Sequence, residues 1–496
     1  MLAAIFLRFS DLGWEEFSWN EGTLVGGALE YARGNLIHNF NDFATPPLMK
    51  YLGAFVYAIY GFSEALLRGV SAAFGTLTVL LTYVFVREHY GKYAAALSAS
   101  IVAFSVVHLA FSRMFLAEAA TGFFYLATLF YYFVMQKKPE RRNILLFGIS
   151  LGLALLSKYL ALYLVVSLVA HALWKGLIKI SFRKKLTLSF ENYFLKGLIA
   201  AVLVFFILWP FSLYPVRIHF DVELTDFPGR DDSFTLNVPQ FLLSAGEYST
   251  AAIGREEISR YAQESGVQNN IITFPFVGYM FIFFAKESLP LLALFAAGLY
   301  AIFRKRVSID KDILIFLLIF LLFLWNQKYG WSYRYLTPVI PLIAIVSARC
   351  LDLLKTNRAK TFLVVVASVT LFMSAVAAHP HYILSYSPLD NVSNFRQVDD
   401  EIVLLYGYRE GAAFVRENCT KVAGELARSA APPDADPEGF VLTNPTAQEL
   451  PFCVYAFYKN TYYQDIEKDL GARCETIKEI AVDGLNLRRV YMCTAA

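Results

Sequence analysis

Apolar residues run through this chain in long stretches, separated by short charged loops. Stretches at about 69–86, 93–111, 119–136, 144–157, 159–174, 196–214, 288–303, 312–326, 338–352 and 361–378 approach or exceed the length that crosses a bilayer. Residues 1–9 read as the end of one further span. A signal peptide is not expected there, because the apolar part is short and no small-residue cleavage site follows. Residues 48–62 are apolar but too short to span, and behind Pro46 and Pro47 they read as a helix lying on the membrane surface. The expected fold class is mainly α, a polytopic helical membrane protein of about 11 spans, the first one truncated.

Basic residues fall in every second connection. Arg87 and Lys92, then Lys137, Lys138, Arg141 and Arg142, then Lys175 to Lys185, then Arg304 to Arg306, then Lys355 to Lys360 mark one face. By the positive-inside rule that face is cytoplasmic. The opposite, outer face then holds residues 10–67, the loop near Glu118, the turn at Lys158, the loops 215–287 and 327–337, and everything after about 379.

The pattern changes near residue 395. Residues 401–407 and 439–444 read as strands, and 409–427 has helical spacing with Phe414, Val415, Val422 and Leu426 on one face. Residues 432–439 read as a loop, and 478–482 with 488–493 flank Asp483 and Gly484 as a hairpin. Two domains are expected: a transmembrane catalytic domain over 1–390 and a small extracytoplasmic α/β domain over 391–496. Cys419, Cys453, Cys474 and Cys493 all lie in the second, whereas Cys350 lies in a span. On an oxidising face these four permit two disulfides in three connectivities, and buried free thiols are the alternative. Asn391 and Asn418 each open an Asn-x-Ser/Thr acceptor pattern.

Composition agrees with this class. Of 496 residues, 57% are hydrophobic and only 17% charged, and mean hydropathy is +0.47. A soluble domain carries about a quarter charged residues. A net charge of +3 gives no reason to expect a nucleic-acid partner. There is no phosphate-binding glycine loop, no paired-histidine metal helix and no soluble nucleotide-sugar fold, so no metal or other cofactor is expected. Two similar halves with broken helices, the mark of many transporters, are also missing.

Chemistry is expected where ionisable residues gather against the apolar background. Glu21 starts a short helix in the first outer loop. It is either an acid favoured by the helix dipole or a general base. Asp11, Glu15, Glu16 and Asp42 read as solvated. Lys50, behind the proline pair, is either a snorkelling lysine or a cation for a phosphate or sugar. Arg113 and Glu118 share a span junction, and pairing with each other would make the acid tolerable. Lys158 interrupts an apolar stretch, Lys286 precedes Ser288–Leu289–Pro290, and Arg334 lies among Tyr329, Trp331, Tyr333 and Tyr335. Aromatics at that depth often form an interfacial belt, yet a guanidinium among them suits a phosphate beneath a sugar ring.

Together these residues resemble the GT-C type integral-membrane glycosyltransferases of family 39, the group of protein O-mannosyltransferases and bacterial aminoarabinose transferases. The resemblance runs over roughly residues 8–390. It is carried by Asn20–Glu21, by TPPLMK at 45–50, by Leu67–Arg68, by Ser112, Arg113 and Glu118, by Lys158, by Lys286, by Arg334–Tyr335 and by HPHYILSY at 379–386. Two positions depart from the family pattern: Asn20 stands where the family has its leading catalytic acid, and Thr45 where it has His or Lys.

The resemblance implies transfer of a sugar, a hexose such as mannose or similar, from a polyprenyl-phosphate-linked donor. The acceptor is a hydroxyl of a protein, lipid or glycan on the outer face of the membrane, and transfer proceeds with inversion. It assigns catalytic roles to Glu21, Asn20 and Glu118. Donor or phosphate binding falls to Lys50, Arg113, Lys158, Lys286, Arg334 and Tyr335. A lipid-linked sugar flippase and a catalytically silent relative are the alternatives.

Overall fold

The computed structural model describes residues 1–13, 19–35, 46–181, 187–213, 215–223, 231–239, 283–305, 308–324, 333–380, 382, 408–423, 441–442, 451–457, 474–482 and 485–494. The chain forms two compact units. One comprises Met1–Ser10 with Thr23–Phe395, the other Asp11–Gly22 with Arg396–Ala496.

The first unit is helical. It contains α1 (Leu2–Phe9), most of α2 (Trp19–Ala32), α3 (Leu48–Tyr60), α4 (Glu64–Tyr90), α5 (Lys92–Phe104), α6 (Val106–Ser112), α7 (Ala117–Lys137), α8 (Arg141–Ser157) and α9 (Leu162–Trp174). It continues with α10 (Asn192–Leu208), α11 (Leu289–Lys305), α12 (Ser308–Leu324), α13 (Ile340–Ala348) and α14 (Asn357–Ala378). Local residues set the boundaries. The Ser63 hydroxyl accepts from the Leu66 N–H and opens α4, and Thr356 accepts from Ala359 to open α14. Gly61 and Gly91 end α3 and α4 at φ 75° and 84°, where a side chain would be strained.

The helices bury hydroxyls and charges among apolar side chains and expose further apolar ones. On α4, Ser71, Thr78 and Thr82 are buried, while Leu77, Leu80 and Val84 are exposed. The buried hydroxyls are satisfied: Ser71 Oγ donates to the Leu116 carbonyl, and Thr78 and Thr82 donate one turn back along the helix. On α14, Phe362, Val365, Val369, Met373 and Val376 form an exposed apolar stripe at helical spacing. Such an exposed stripe suits a hydrocarbon solvent. Among the described residues, Glu64–Tyr90, Tyr333–Leu353 and Asn357–Ala378 are long and apolar enough to cross a membrane. Tyr333–Leu353 is 89% buried against 22% for Asn357–Ala378, so it is the central element and α14 a peripheral one. Gly298 lets α11 press on it: a Cβ there would meet the Val346 carbonyl.

One expected span is not continuous. The stretch 93–111 breaks at Ser105 into α5 and α6, bent by 58°. The break leaves carbonyls at the end of α5 and N–H groups at the start of α6 without helical partners. Arg8, wholly buried, donates to the Val102 and Ala103 carbonyls at 3.1 and 3.0 Å. Glu287, also buried, accepts from the Val106 and Val107 N–H groups at 3.2 and 3.1 Å and from the Ser105 hydroxyl. A cation thus meets the carboxyl end of one helix and an anion the amino end of the next, as the helix dipoles favour.

Two β-hairpins sit in connections that carry no strand expectation. β1 (Ile178–Ser181) pairs with β2 (Thr187–Phe190), and β3 (Pro215–Glu223) with β4 (Asp231–Pro239), both antiparallel.

In the second unit, α15 (Tyr408–Asn418) precedes β5 (Val422–Ala423), β6 (Val441–Leu442), β7 (Phe452–Phe457), β8 (Cys474–Val482) and β9 (Leu485–Cys493). They form one sheet in the order β6-β5-β7-β9-β8. The expected helix over 409–427 is therefore too long. It stops at Asn418, and Val422 joins the sheet, because the disulfide between Cys419 and Cys453 and the β5–β7 pairing hold the chain extended there. The expected hairpin is present, with Val482 opposite Leu485. Cys474 and Cys493 form the second disulfide across it, which selects one of the three connectivities. The expected strand at 401–407 and loop at 432–439 lie outside the described residues.

Candidate active site

The amino end of α7 and the carboxyl end of α8 meet beneath the 3₁₀ helix Tyr333–Val339. Thr121 Oγ1 and Ser157 Oγ, 2.9 Å apart, tie the two α-helices together. Glu118 lies in the first turn of α7, where the dipole favours an acid. After Ser157 the backbone turns extended at Lys158, with φ −161° and ψ 144°, before resuming as a short 3₁₀ turn and α9. The interruption aims Lys158 across at α7, and its Nζ donates to Glu118 Oε1 at 2.5 Å. Arg334 Nε lies 3.8 Å from the same oxygen. All three side chains are largely withdrawn from solvent, at 2% exposure for Glu118, 8% for Lys158 and 17% for Arg334.

Tyr335 holds the two cations together. Its ring faces Lys158 Nζ at 4.8 Å and the Arg334 guanidinium at 5.0 Å, and its hydroxyl accepts from Arg334 NH2 at 3.1 Å. Among the described residues the Glu118 carboxylate thus faces two cations. One residue earlier, Tyr333 presents its ring to the buried Lys286 at 4.7 Å and packs on Phe111 at 5.6 Å. Lys286 is held in place by its neighbour, since Glu287 is fastened to the start of α6. Chemically the cluster sets lysine and arginine groups against aromatic faces, a combination suited to an anion that carries an apolar or sugar substituent.

Residues 44–209 match the family model described as dolichyl-phosphate-mannose-protein mannosyltransferase. Dolichyl-phosphate-mannose–protein mannosyltransferase 1 of Saccharomyces cerevisiae is 27% identical over 252 residues, or 46% of this chain. The match spans 30% of the length of that curated relative. The fold resembles ArnT from Cupriavidus metallidurans bound to undecaprenyl phosphate, with a TM-score of 0.56 at 15% identity over 99% of this chain and 96% of that one. The apo state of ArnT gives a TM-score of 0.52 over the same coverage.

Over residues 44–209 the chain is thus similar to the dolichyl-phosphate-mannose-protein mannosyltransferases, and its overall fold to that of ArnT.

The family resemblance distributes its site residues unevenly over the structure. Glu118, Lys158, Arg334 and Tyr335 come together, with Lys286 on the adjoining ring. The expected Arg113–Glu118 pair does not form. Arg113 instead donates to the carbonyls of Leu7 and Ser10 at 2.8 and 2.6 Å and lies over Tyr382, because α1 ends beside it. Lys50 does not snorkel. It is wholly buried, and its stem passes so close to Gly27 that a Cβ there would lie 2.9 Å from Lys50 Cδ. Glu21 is buried in the first turn of α2, within the unit that residues 11–22 form with the tail. Asn20 has helical backbone there, and its side chain lies outside the described residues, as do Glu15, Glu16, Asp42 and Thr45 entirely.

Sequence reasoning missed Arg8 and Glu287. Each had a signal: an ionisable residue inside an apolar stretch, the same sign that singled out Lys158. The histidines prove structural in several cases. His108 Nδ1 lies 2.9 Å from Arg8, His171 sits between Tyr132 and Asp312, and His379 bonds Tyr382.

Proposed function

We propose that this chain transfers a sugar, of mannosyl or aminoarabinosyl type, from a polyprenyl-phosphate-linked donor to an acceptor hydroxyl at the outer face of the membrane. The observation that carries the reading is the convergence of Lys158 and Arg334 on the single carboxylate of Glu118 around Tyr335. A polyprenyl phosphate leaves with growing negative charge. Preorganised cations in a water-poor recess stabilise that charge without reorganising. Lys158, Arg334 and Lys286 are the cations for it, and Glu118 orients the first two.

The departing phosphate needs little acid help, whereas the acceptor hydroxyl must lose a proton to a carboxylate. We assign that proton to Glu21, the acid beside Asn20 at the place of the family's catalytic motif, with Asn20 orienting acceptor or sugar. A single base opposite the leaving group gives inversion. The polytopic arrangement of about 11 spans, and the extracytoplasmic position of residues 391–496, belong to the same proposal. The basic-loop alternation supports them, as do two disulfides in the tail, which call for an oxidising compartment.

The test is reconstitution with a labelled polyprenyl-phosphate sugar. Glu21→Gln is expected to keep donor binding and lose transfer by about 10²–10⁴-fold, the usual worth of general-base catalysis. Asn20→Asp is expected to be tolerated. Movement of intact donor across the bilayer without cleavage would establish the flippase reading instead. Full transfer by Glu21→Gln would remove Glu21 as the base.

A further inference from the structure

The opposite end of α7 carries a second polar feature with no part in sugar transfer. This helix of 21 residues is about 30 Å long at 1.5 Å per residue, the thickness of a hydrocarbon core, and we take it as one of the proposed spans although it is not among the three most apolar long helices. Where Glu118 marks one bilayer face, Lys137 marks the other. A groove of about 530 Å³ opens there between the ends of α4, α7 and α8. Its floor is apolar and aromatic, with Phe130, Val134 and Leu146, and its rim carries Lys137, Lys138 and Arg142.

The rim charges are not equivalent. Lys137 is taken by Glu88, 3.4 Å away, and by His89 at 3.2 Å. Lys138 and Arg142 are exposed, and among the described residues neither side chain has an ion-pair or hydrogen-bond partner. Glu140, the other acid on the rim, precedes α8 as its N-cap, where an acid is locally favoured. Arg141 and Arg142 occupy the first turn of α8, which holds no acid. Cations at that end oppose the helix dipole. The positive-inside rule accounts for cations on this face, and the groove sets two of them beside apolar side chains.

We propose that this groove binds the head group of an anionic phospholipid from the leaflet it faces. The phosphodiester would lie between Lys138 and Arg142, and the acyl chains would descend over Phe130 and Leu146. The size and charge of the groove fit this occupant: a basic rim recruits anionic lipid, and an apolar floor continuous with hydrocarbon accepts its chains. The site is separate from the Glu118 cluster, and its occupancy does not depend on the transfer reaction.

The experiment uses the full chain in bilayer nanodiscs, with spin-labelled phosphatidylglycerol, phosphatidylethanolamine and phosphatidylcholine as probes. The wild-type chain is expected to immobilise phosphatidylglycerol about fivefold more than phosphatidylcholine. Lys138→Gln with Arg142→Gln is expected to bring that ratio to about one. Leu146→Trp, which fills the floor, is expected to do the same while leaving the charges intact. Lys355→Gln with Arg358→Gln, in another basic loop, is expected to leave the ratio unchanged. Equal immobilisation of the three lipids by the wild type would overturn the proposal. So would loss of preference in the Lys355/Arg358 variant, which would make the effect one of diffuse charge. Displacement of the labelled lipid by soluble glycerol phosphate would also overturn it, identifying a free-phosphate site.

Discussion

Helix α7 carries a lysine–carboxylate pair at each end, and the two behave as different kinds of object. At one end Lys158 meets Glu118 at 2.5 Å with both side chains under 10% exposed. At the other Lys137 meets Glu88 at 3.4 Å with the side chains 55% and 42% exposed. The chemistry of the groups is the same, and the surroundings decide what they are worth. A surface pair trades one hydration shell for another and gains little. A buried pair has already lost its water, so each partner depends on the other to remain charged. The buried pair also has a third member, Arg334, and the meeting of both cations on the Tyr335 ring is what makes it a candidate site.

The contrast can be broken experimentally. Glu118→Gln takes the carboxylate from the buried Lys158 and is expected to destabilise the protein by about 3–5 kcal/mol, read by denaturant unfolding in detergent. Adding Lys158→Met should recover much of that loss while transfer stays absent. If Glu118→Gln unfolds no more readily than Glu88→Gln, the distinction by burial is wrong. Arg334→Lys is expected to cost nearly as much donor use as Arg334→Ala, about 10²-fold in transfer rate, because both lose the planar fork. Wild-type rates in both at low donor concentration would make Arg334 a belt residue.

A smaller effect is expected at Glu287. Glu287→Gln keeps the shape but weakens the bonds to Val106 and Val107, a loss of about 1–3 kcal/mol. Donor use should fall with it if Lys286 is positioned by its neighbour, and the unfolding curve and the transfer assay together separate the two roles. Glu88→Gln should be the mildest, within about 1 kcal/mol. Its effect should vanish when ionic strength is raised, which the unfolding midpoint in low and high salt reports.

Much of the helical frame was legible in the chain. The stretches at 361–378 and 288–303 lie within α14 and α11 to within a few residues, because helix and lipid impose local and periodic demands on composition. The interruption at Lys158 was visible as a charge in an apolar run, and it is where the helix stops. Glu118, Lys158, Arg334 and Tyr335, singled out in the chain as ionisable and aromatic groups in apolar surroundings, do come together in the structure. Other features were not. The stretch 93–111 gave no sign of a 58° break, since Ser105 is an ordinary helix residue until something accepts its hydroxyl. That something is Glu287, 182 residues away in sequence.

Sequence alone determined the kind of solvent this protein folds in, the places where helices start and stop, and the set of charges that must be accommodated away from water. Those follow from hydropathy, capping residues and the cost of an isolated charge, all local properties. Only the tertiary structure decided which charges meet. Glu118 had Arg113 five residues away and nevertheless pairs with Lys158, 40 residues on, because α1 claims Arg113 through the carbonyls of Leu7 and Ser10. Tertiary packing likewise chose one disulfide connectivity out of three and sent Lys50 inward past Gly27. The reason is that electrostatic pairing depends on distance in space, and distance in space is set by how the helices pack.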